Sequence, residues 1–413
     1  MSWLKKYQSE NKYVVFFFLY IGFCISYIDR SAIGLALPSI SKDFALAPTQ
    51  MGVVISAFFI GYSIMQIPGG WLADHFGSKT VICIALTLWS IFTFTTGHAS
   101  TLAGLLFLRF VFGLCEGPYA GSCYRAIAEY FPRELRPAFT TGILSSNYIG
   151  SAIAPIIIVP LILWFGWRGM FQALGCIGLV YVFFYAFCVK QTKPAEEVKA
   201  GKKENKTKYF LHLMKFSIIW KLALCAFCVS CINKGLDAWM PTYLIAERGI
   251  NLKAVGYVTP IPFMASFLST AGCGWLMNKY FDKKEQYMIA ICAVMTAIFL
   301  YLMYNAETLF WVVVFQCGVY FFKACILGSA VAIVLKIVTG SIAGSASTLV
   351  NMGGQVAGFI SPVIMGYLVS AFNGSFNAVF YYLIAAAALC AVSALLIPKR
   401  KEAMLDLGEG SEE

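Results

Sequence analysis

Gly70-Trp71-Leu72-Ala73-Asp74-His75-Phe76-Gly77-Ser78-Lys79 closes an apolar run that begins at Met51. Met51–Ala73 is long enough to cross the hydrocarbon core of a bilayer as one helix, which takes about 20 residues. From Asp74 onward the stretch carries an acid, bases and a turn-forming glycine, as a tight polar loop does. A partial copy, Gly274-Trp275-Leu276-Met277-Asn278-Lys279, stands 204 residues further on. The same displacement carries Asp29-Arg30 onto Asn233-Lys234, and Pro38 to within one residue of Pro241. Coincidences at one displacement mark an internal repeat.

Working outward, twelve spans are predicted: Val14–Leu37, Met51–Ala73, Thr80–Thr96, Leu102–Ala128, Phe139–Leu163, Met170–Val189, Trp220–Ile245, Ala254–Met277, Tyr287–Tyr304, Leu309–Val334, Ile342–Ala371 and Phe376–Ile397. The fold class is therefore an all-α membrane protein with 12 transmembrane helices in two pseudo-symmetric six-helix bundles. Residues 1–189 make the N-terminal bundle, 190–216 a cytoplasmic central loop, 217–398 the C-terminal bundle and 399–413 a cytoplasmic tail. Parallel repeats imply a pseudo-two-fold axis along the membrane normal, a substrate site between the halves and alternating access by rocking.

Composition agrees. Of 413 residues, 60% are hydrophobic and 12% charged, too little charge to cover a soluble domain. The net charge of +11 reads as an orientation signal rather than a nucleic-acid footprint. Lys5, Lys6, Lys12, Lys79, Arg133, Arg136, the central lysines from Lys190 to Lys215, Lys279, Lys283, Lys284, Lys399, Arg400 and Lys401 fall on one side, leaving Lys42, Arg168, Arg248 and Lys253 on the other. Positive loops stay inside, which puts both termini in the cytoplasm of a bacterial inner membrane. The first apolar run leads straight into Asp29 and Arg30, unlike a cleavable signal peptide.

The 14 cysteines lie mostly inside apolar runs, where cysteine packs as a small hydrophobe. Cys225, Cys228 and Cys231 have cluster-like spacing, but a helix strings them along about 9 Å of axis and no fourth ligand is evident. No metal and no cofactor are expected. No P-loop is present, so ATP does not drive the protein directly and no enzyme activity is indicated.

Gly70 to Lys79 resembles the loop motif of the major facilitator superfamily. Tyr27-Ile28-Asp29-Arg30, Gln66-Ile67-Pro68-Gly69-Gly70-Trp71, Arg109-Phe110 with Gly113, Glu116 and Pro118, and Arg125 with Phe131-Pro132 resemble that superfamily's anion:cation symporters, which include hexuronate and galactonate importers. In the second half Trp239-x-Pro241-Thr242-Tyr243-Leu244, Asn351-Met352-Gly353-Gly354 and Ser361-Pro362 are also similar. The resemblance implies a major facilitator fold and a proton-coupled importer of an organic anion, a sugar acid or a di- or polycarboxylate. It gives Arg30 to the substrate carboxylate, Asp29 and Glu116 to the protons, and Asp74, Gly70 and Gly77 to a conformational switch. Sodium coupling stays open, as do export of a polycarboxylate or siderophore and a transporter-like membrane sensor. The expected partners are a small organic anion and the lipid bilayer, with a monomeric chain and no nucleic acid.

Charged groups inside a span are costly and face a cavity or a partner. Asp29 and Arg30 are separated by about 100° of helix turn, so they point differently. Arg109 and Glu116 share a face but stand about 10 Å apart in rise. The economical pairing is Asp29 with Arg109, leaving Arg30 to the cavity and Glu116 with no cation beside it. A guanidinium suits a carboxylate through two parallel bonds. Tyr27 and Tyr62 are candidate cavity donors. Repeat symmetry sets Lys234 opposite Arg30, and two cations would suit a dianion; Lys323 is a possible third contact. Alternatively Asp237, three residues on, neutralises Lys234 within its own helix. Asn351 and Gln355 are polar candidates for the same cavity, and throughout the competing reading is structural bonding between helices.

Overall fold

In a lipid core no water satisfies the backbone, so an apolar chain bonds to itself as helix. The computed structural model follows that rule: among the described residues the elements are α-helices. It describes residues 11–132, 135–190, 216–282, 284–337 and 343–397. Lys5, Lys6, Arg133, the central-loop lysines from Lys193 to Lys215, Lys283, and Lys399, Arg400 and Lys401 lie outside the described residues.

The helices are α1 (Lys12–Phe44), α2 (Pro48–Phe76), α3 (Ser78–Thr96), α4 (Leu102–Tyr130), α5 (Arg136–Cys188), α6 (Ser217–Ala246), α7 (Leu252–Val258), α8 (Pro260–Tyr280), α9 (Glu285–Tyr304), α10 (Leu309–Ile337), α11 (Ala343–Ala371) and α12 (Asn377–Leu395). Side chains close several N-termini: Asn11 Oδ1 accepts from Tyr13 N at 3.0 Å and Thr101 Oγ1 from Gly104 N at 3.1 Å, each satisfying a donor the helix leaves orphaned.

Among the described residues 11 stretches are long and apolar enough to span a membrane. One of them serves twice. α5 runs 53 residues, about 80 Å as a straight helix, against a hydrocarbon core of about 30 Å. Gly166 breaks it with φ 67 and ψ 174, a backbone position open to glycine and strained for other residues. Just past the break, Trp167 Nε1 donates to Asp43 Oδ2 at 2.8 Å and Arg168 pairs with the same carboxylate. Both bonds pin the turn to the end of α1. The two arms, 136–165 and 167–188, correspond to two of the twelve predicted spans. The predicted span Ala254–Met277 lies within one membrane-long stretch, Leu252–Met277; α7 and α8 meet inside it at Thr259, which keeps helical angles (φ -62, ψ -31), because Pro260 cannot donate to the helix before it.

The chain forms two compact units. The first comprises Met1–Gly201 with Leu244–Pro260, the second Lys202–Tyr243 with Ile261–Glu413. In the first unit α2 packs along α4, α1 along α5, and α3 against both α4 and α5. The α2–α4 seam is set by small residues, as between helices in lipid. A Cβ on Gly61 would fall 2.9 Å from Leu114 N, and one on Gly113 would fall 2.8 Å from Tyr62 N. Backbones this close fix where α2 holds Phe58 and Tyr62. In the second unit α9 packs on α10 and α12. Its core includes Cys225, Cys228, Cys292, Cys325 and Cys390. Those thiols act locally: Cys225 Sγ donates to Cys390 O at 3.7 Å and Cys390 Sγ to Cys225 O at 3.8 Å. Large apolar side chains face outward, Trp71, Trp164 and Phe310 among them.

Candidate functional site

In the first unit the charges gather where α1 meets α4. Ser26 and Arg30 are four residues apart and share a face of α1. Both reach Glu116 of α4: Arg30 Nε donates to Oε1 at 2.7 Å and Ser26 Oγ to the same oxygen. Glu116 is 0% exposed and Arg30 15%. Aromatic rings wall the guanidinium. Its Cζ stands 4.4 Å from the Tyr62 ring centroid, 4.9 Å from Tyr27 and 5.3 Å from Phe58. Stacking of this kind holds a guanidinium flat and attracts it to the ring faces. Tyr27 is half-buried and Tyr62 buried.

This corrects the expected pairing. Arg30 goes to Glu116, so Glu116 has a cation beside it, and Asp29 does not bridge to Arg109. The reason is the turn between neighbours on a helix. With Arg30 facing α4 at Glu116, Asp29 points about 100° away. Asp29 is buried and neither carboxyl oxygen has a hydrogen-bond partner. Trp89 of α3 lies beside it, its indole N–H also short of a hydrogen bond. Arg109 is buried with Nε unpartnered, its Cζ 4.7 Å from the Phe112 ring centroid and 5.3 Å from Phe58. Glu116 Oε2, Tyr119 Oη and the hydroxyls of Ser90 and Thr93 are likewise buried without partners. Buried polar atoms are costly to leave unmade, and so many on α1, α3 and α4 describe a polar interior able to hold water. Ser26, Phe58 and Trp89 were missed in the sequence reading. Ser26, one turn before Arg30, carried a readable signal; Trp89 carried none, since a tryptophan in an apolar run reads as packing.

At the ends of α2 and α4 a second cluster forms. Arg125 Nη1 donates to Asp74 Oδ1 at 2.7 Å, Arg125 Nε to Glu129 Oε1 at 2.9 Å, and Ser78 Oγ to Glu129 Oε2 at 2.5 Å. Gly77, at φ 84, makes the tight corner from α2 to α3 that brings Ser78 into this network. Gly70 has open space where a side chain would stand.

The second unit places its charges differently from the expectation. Tyr320 Oη donates to Asp237 Oδ1 at 2.6 Å, and Lys323 Nζ donates to the same oxygen at 3.3 Å. Lys323 Nζ lies 3.2 Å from the Tyr320 ring centroid. Lys323 is 2% exposed and Asp237 31%. Asp237 is thus bonded to two groups of α10, beyond the Lys234 of its own helix. Lys323 is covered by a carboxylate rather than open to a ligand. Lys234 and Gln355 are half-buried and Asn351 is exposed.

A cavity of about 500 Å³ between α2, α3 and α4 is lined by Met65, Leu72, Ile84, Leu88, Leu114 and other apolar groups. With no charge in its wall, it does not suit an anion.

Among the described residues, three or more metal-ligating side chains do not gather. The chain is 29% identical over 394 residues to a probable sulfoacetate transporter of Cupriavidus necator, spanning 90% of each. It is 28% identical over 390 residues to a hexuronate transporter of Bacillus subtilis, spanning 90% of this chain and 91% of that one. Its fold matches the inward-facing, unoccupied crystal structure of a bacterial homologue of the human lysosomal transporter Spinster, with a TM-score of 0.79, 17% identity and 95% of each chain covered. The Major Facilitator Superfamily model matches residues 19–322 and 286–411. Helices, apolar spans, internal repeat and sequence match converge: the chain belongs to the Major Facilitator Superfamily, whose members are membrane transporters and not enzymes.

Proposed function

We propose that the protein imports a small organic anion by proton symport with alternating access. The observation that carries this reading is Arg30: a guanidinium at the α1–α4 contact, anchored through Nε to Glu116 and walled by Tyr27, Phe58 and Tyr62. An anchored fork is preorganised for a carboxylate or sulfonate, and the relatives named for sulfoacetate and hexuronate transport act on acids. Tyr27 and Tyr62 position the substrate's acid group. Asp29 and Glu116 are the proton sites: Asp29 is buried without a partner, and an anion so placed is costly unless it takes a proton. Arg109 tunes both. Lys234, Asn351 and Gln355 serve as substrate contacts of the second unit, and Asp74, Gly70 and Gly77 as the switch. The lysine and arginine bias of the loops supports a bacterial inner-membrane setting with both termini cytoplasmic.

A monoanion entering with one proton moves no net charge, so the pH gradient alone drives it. A second proton adds about 2.3 kcal/mol per 100 mV. Uptake into proteoliposomes with imposed pH, sodium and voltage gradients tests this. Vesicles acid outside and negative inside that are unable to concentrate any organic acid, or concentration driven by sodium alone, would refute proton symport.

A further inference from the structure

Two unmet groups of opposite kind stand side by side in the first unit. Asp29 of α1 is 2% exposed and Trp89 of α3 is 0% exposed. The indole N–H lies beside the carboxyl, yet it and both carboxyl oxygens lack a hydrogen bond. A buried donor next to a buried acceptor ordinarily closes, because each is costly to leave open. This pair is poised rather than made.

The indole is held in that place. Its ring meets Tyr119 of α4 edge-on, with centroids 4.9 Å apart at 84°, and Tyr119 packs on Phe23 of α1 at 5.2 Å. α3 is fixed in turn against α5, where a Cβ on Gly175 would fall 2.6 Å from Phe94 N. Charged groups also bear on Asp29. From α4, Glu116 opposes a charge on it and Arg109 favours one. Arg30, next to it on α1, is turned to Glu116. Trp89 adds a donor of another kind. An indole N–H donates and never accepts, so it gives more to a carboxylate than to a neutral acid. Being uncharged, it favours the anion without trapping it in an ion pair.

We propose that Trp89 is a positioning residue for proton release from Asp29: as the proton leaves, the indole N–H closes onto the carboxylate and holds it until the next proton arrives. The O–H bond of Asp29 breaks, its proton passes to water, and the indole keeps its own hydrogen while the N–H···O bond forms. The proposal rests on the reading of Asp29 as a proton site.

The first test needs no substrate. Ultraviolet resonance Raman spectra of the purified full-length protein report hydrogen bonding at indole N–H groups. Of the nine tryptophans, one is expected to gain a hydrogen bond between acid and alkaline buffer, and Asp29→Asn is expected to lose that change. An indole signal that is the same in both buffers, or a change that survives in Asp29→Asn, overturns the proposal. This measurement decides the matter should a Trp89 variant fail to fold. The second test is transport by Trp89→Phe, which keeps a ring against Tyr119 and loses the donor. Proteoliposomes are given labelled glucuronate or sulfoacetate, whichever the wild type concentrates. Concentrative uptake should fall about 10-fold relative to exchange, the worth of one hydrogen bond to a charged group. Without the donor the proton is held more tightly, so release into the vesicle limits the cycle. Raising the internal pH by about one unit, a tenfold drop in proton activity, should then return the variant to the wild-type rate. A wild-type ratio of uptake to exchange in Trp89→Phe, or a deficit that internal alkalinity leaves untouched, also overturns the proposal. Failure of the underlying reading looks different: Asp29→Asn itself still concentrates the substrate.

Discussion

Arg30→Ala is expected to do two separable things. The guanidinium meets Glu116 at 2.7 Å, and that carboxyl is 0% exposed. Removing one partner of a buried pair costs about 3–5 kcal/mol, because the other is left as an uncompensated buried charge. Ser26, which donates to the same oxygen, offsets a part of this. The variant should therefore melt well below the wild type in detergent. It should also lose the two parallel bonds to the ligand acid; hydrogen bonds to charged groups are worth about 1.5–3 kcal/mol each, so affinity falls by more than about 100-fold. Adding Glu116→Gln separates the effects. The double variant has no stranded carboxylate, so it should recover most of the thermal stability, with a coupling of about 2–3 kcal/mol between the sites. It should not recover affinity. Melting curves and equilibrium binding on the four proteins of the cycle give both numbers. A double variant as unstable as Arg30→Ala would show that the pair is not the source of the loss. A double variant binding as well as the wild type would remove Arg30 from the substrate site.

Asp29→Asn is nearly isosteric and removes a buried acid that has no hydrogen-bond partner, so stability should hold or rise while concentrative uptake is lost and substrate exchange across the membrane persists; retained concentrative uptake would exclude Asp29 from coupling. Gly113→Val puts a side chain 2.8 Å from Tyr62 N, and overpacking at that seam should cost about 1–3 kcal/mol, read as a lower melting temperature with weakened anion binding as Tyr62 shifts. Asp74 is 62% exposed in its pair with Arg125, so Asp74→Asn should cost less than about 1 kcal/mol of stability; a several-fold drop in transport at unchanged binding is the signature of a switch, and unchanged transport speaks against one.

The spans were legible because the physics that makes them is one-dimensional: a run of about 20 apolar residues has few options in lipid. The departures lie where a local backbone feature decides. α5 continues past Leu163, where a loop was expected, and Gly166 does the work of that loop at a single residue. Pro260 interrupts the hydrogen-bond ladder between α7 and α8, while Thr259 keeps helical angles and the stretch remains one span as its composition reads. The first unit's site was legible in its residue types but not in its pairing. Helical rotation separates Asp29 from Arg30, yet it does not say which of them meets α4. It is Ser26, one turn before Arg30 and bonded to the same Glu116 oxygen, that marks the face of α1 meeting α4, a feature of packing between segments 90 residues apart in sequence.

The second unit shows why repeat symmetry transfers geometry better than chemistry. The repeat carried Arg30 onto Lys234 and so suggested two cations for a dianion. The helix pair it matched is indeed bridged, but by Asp237 with Tyr320 and Lys323, one turn along and with acid and base exchanged. A repeat conserves where two helices approach, because backbone spacing and the apolar pattern fix that. It leaves free which partner carries which charge, since either order satisfies the requirement that a buried ion be paired. The exchange decides which charge each pair leaves exposed, the base in the first unit and the acid in the second. A pair that buries its acid offers a donor fork, and a pair that buries its base offers an acceptor. Lys323 reads as a substrate contact because it is a lysine inside a span; the 3.3 Å to Asp237 instead covers it with a carboxylate from the neighbouring helix.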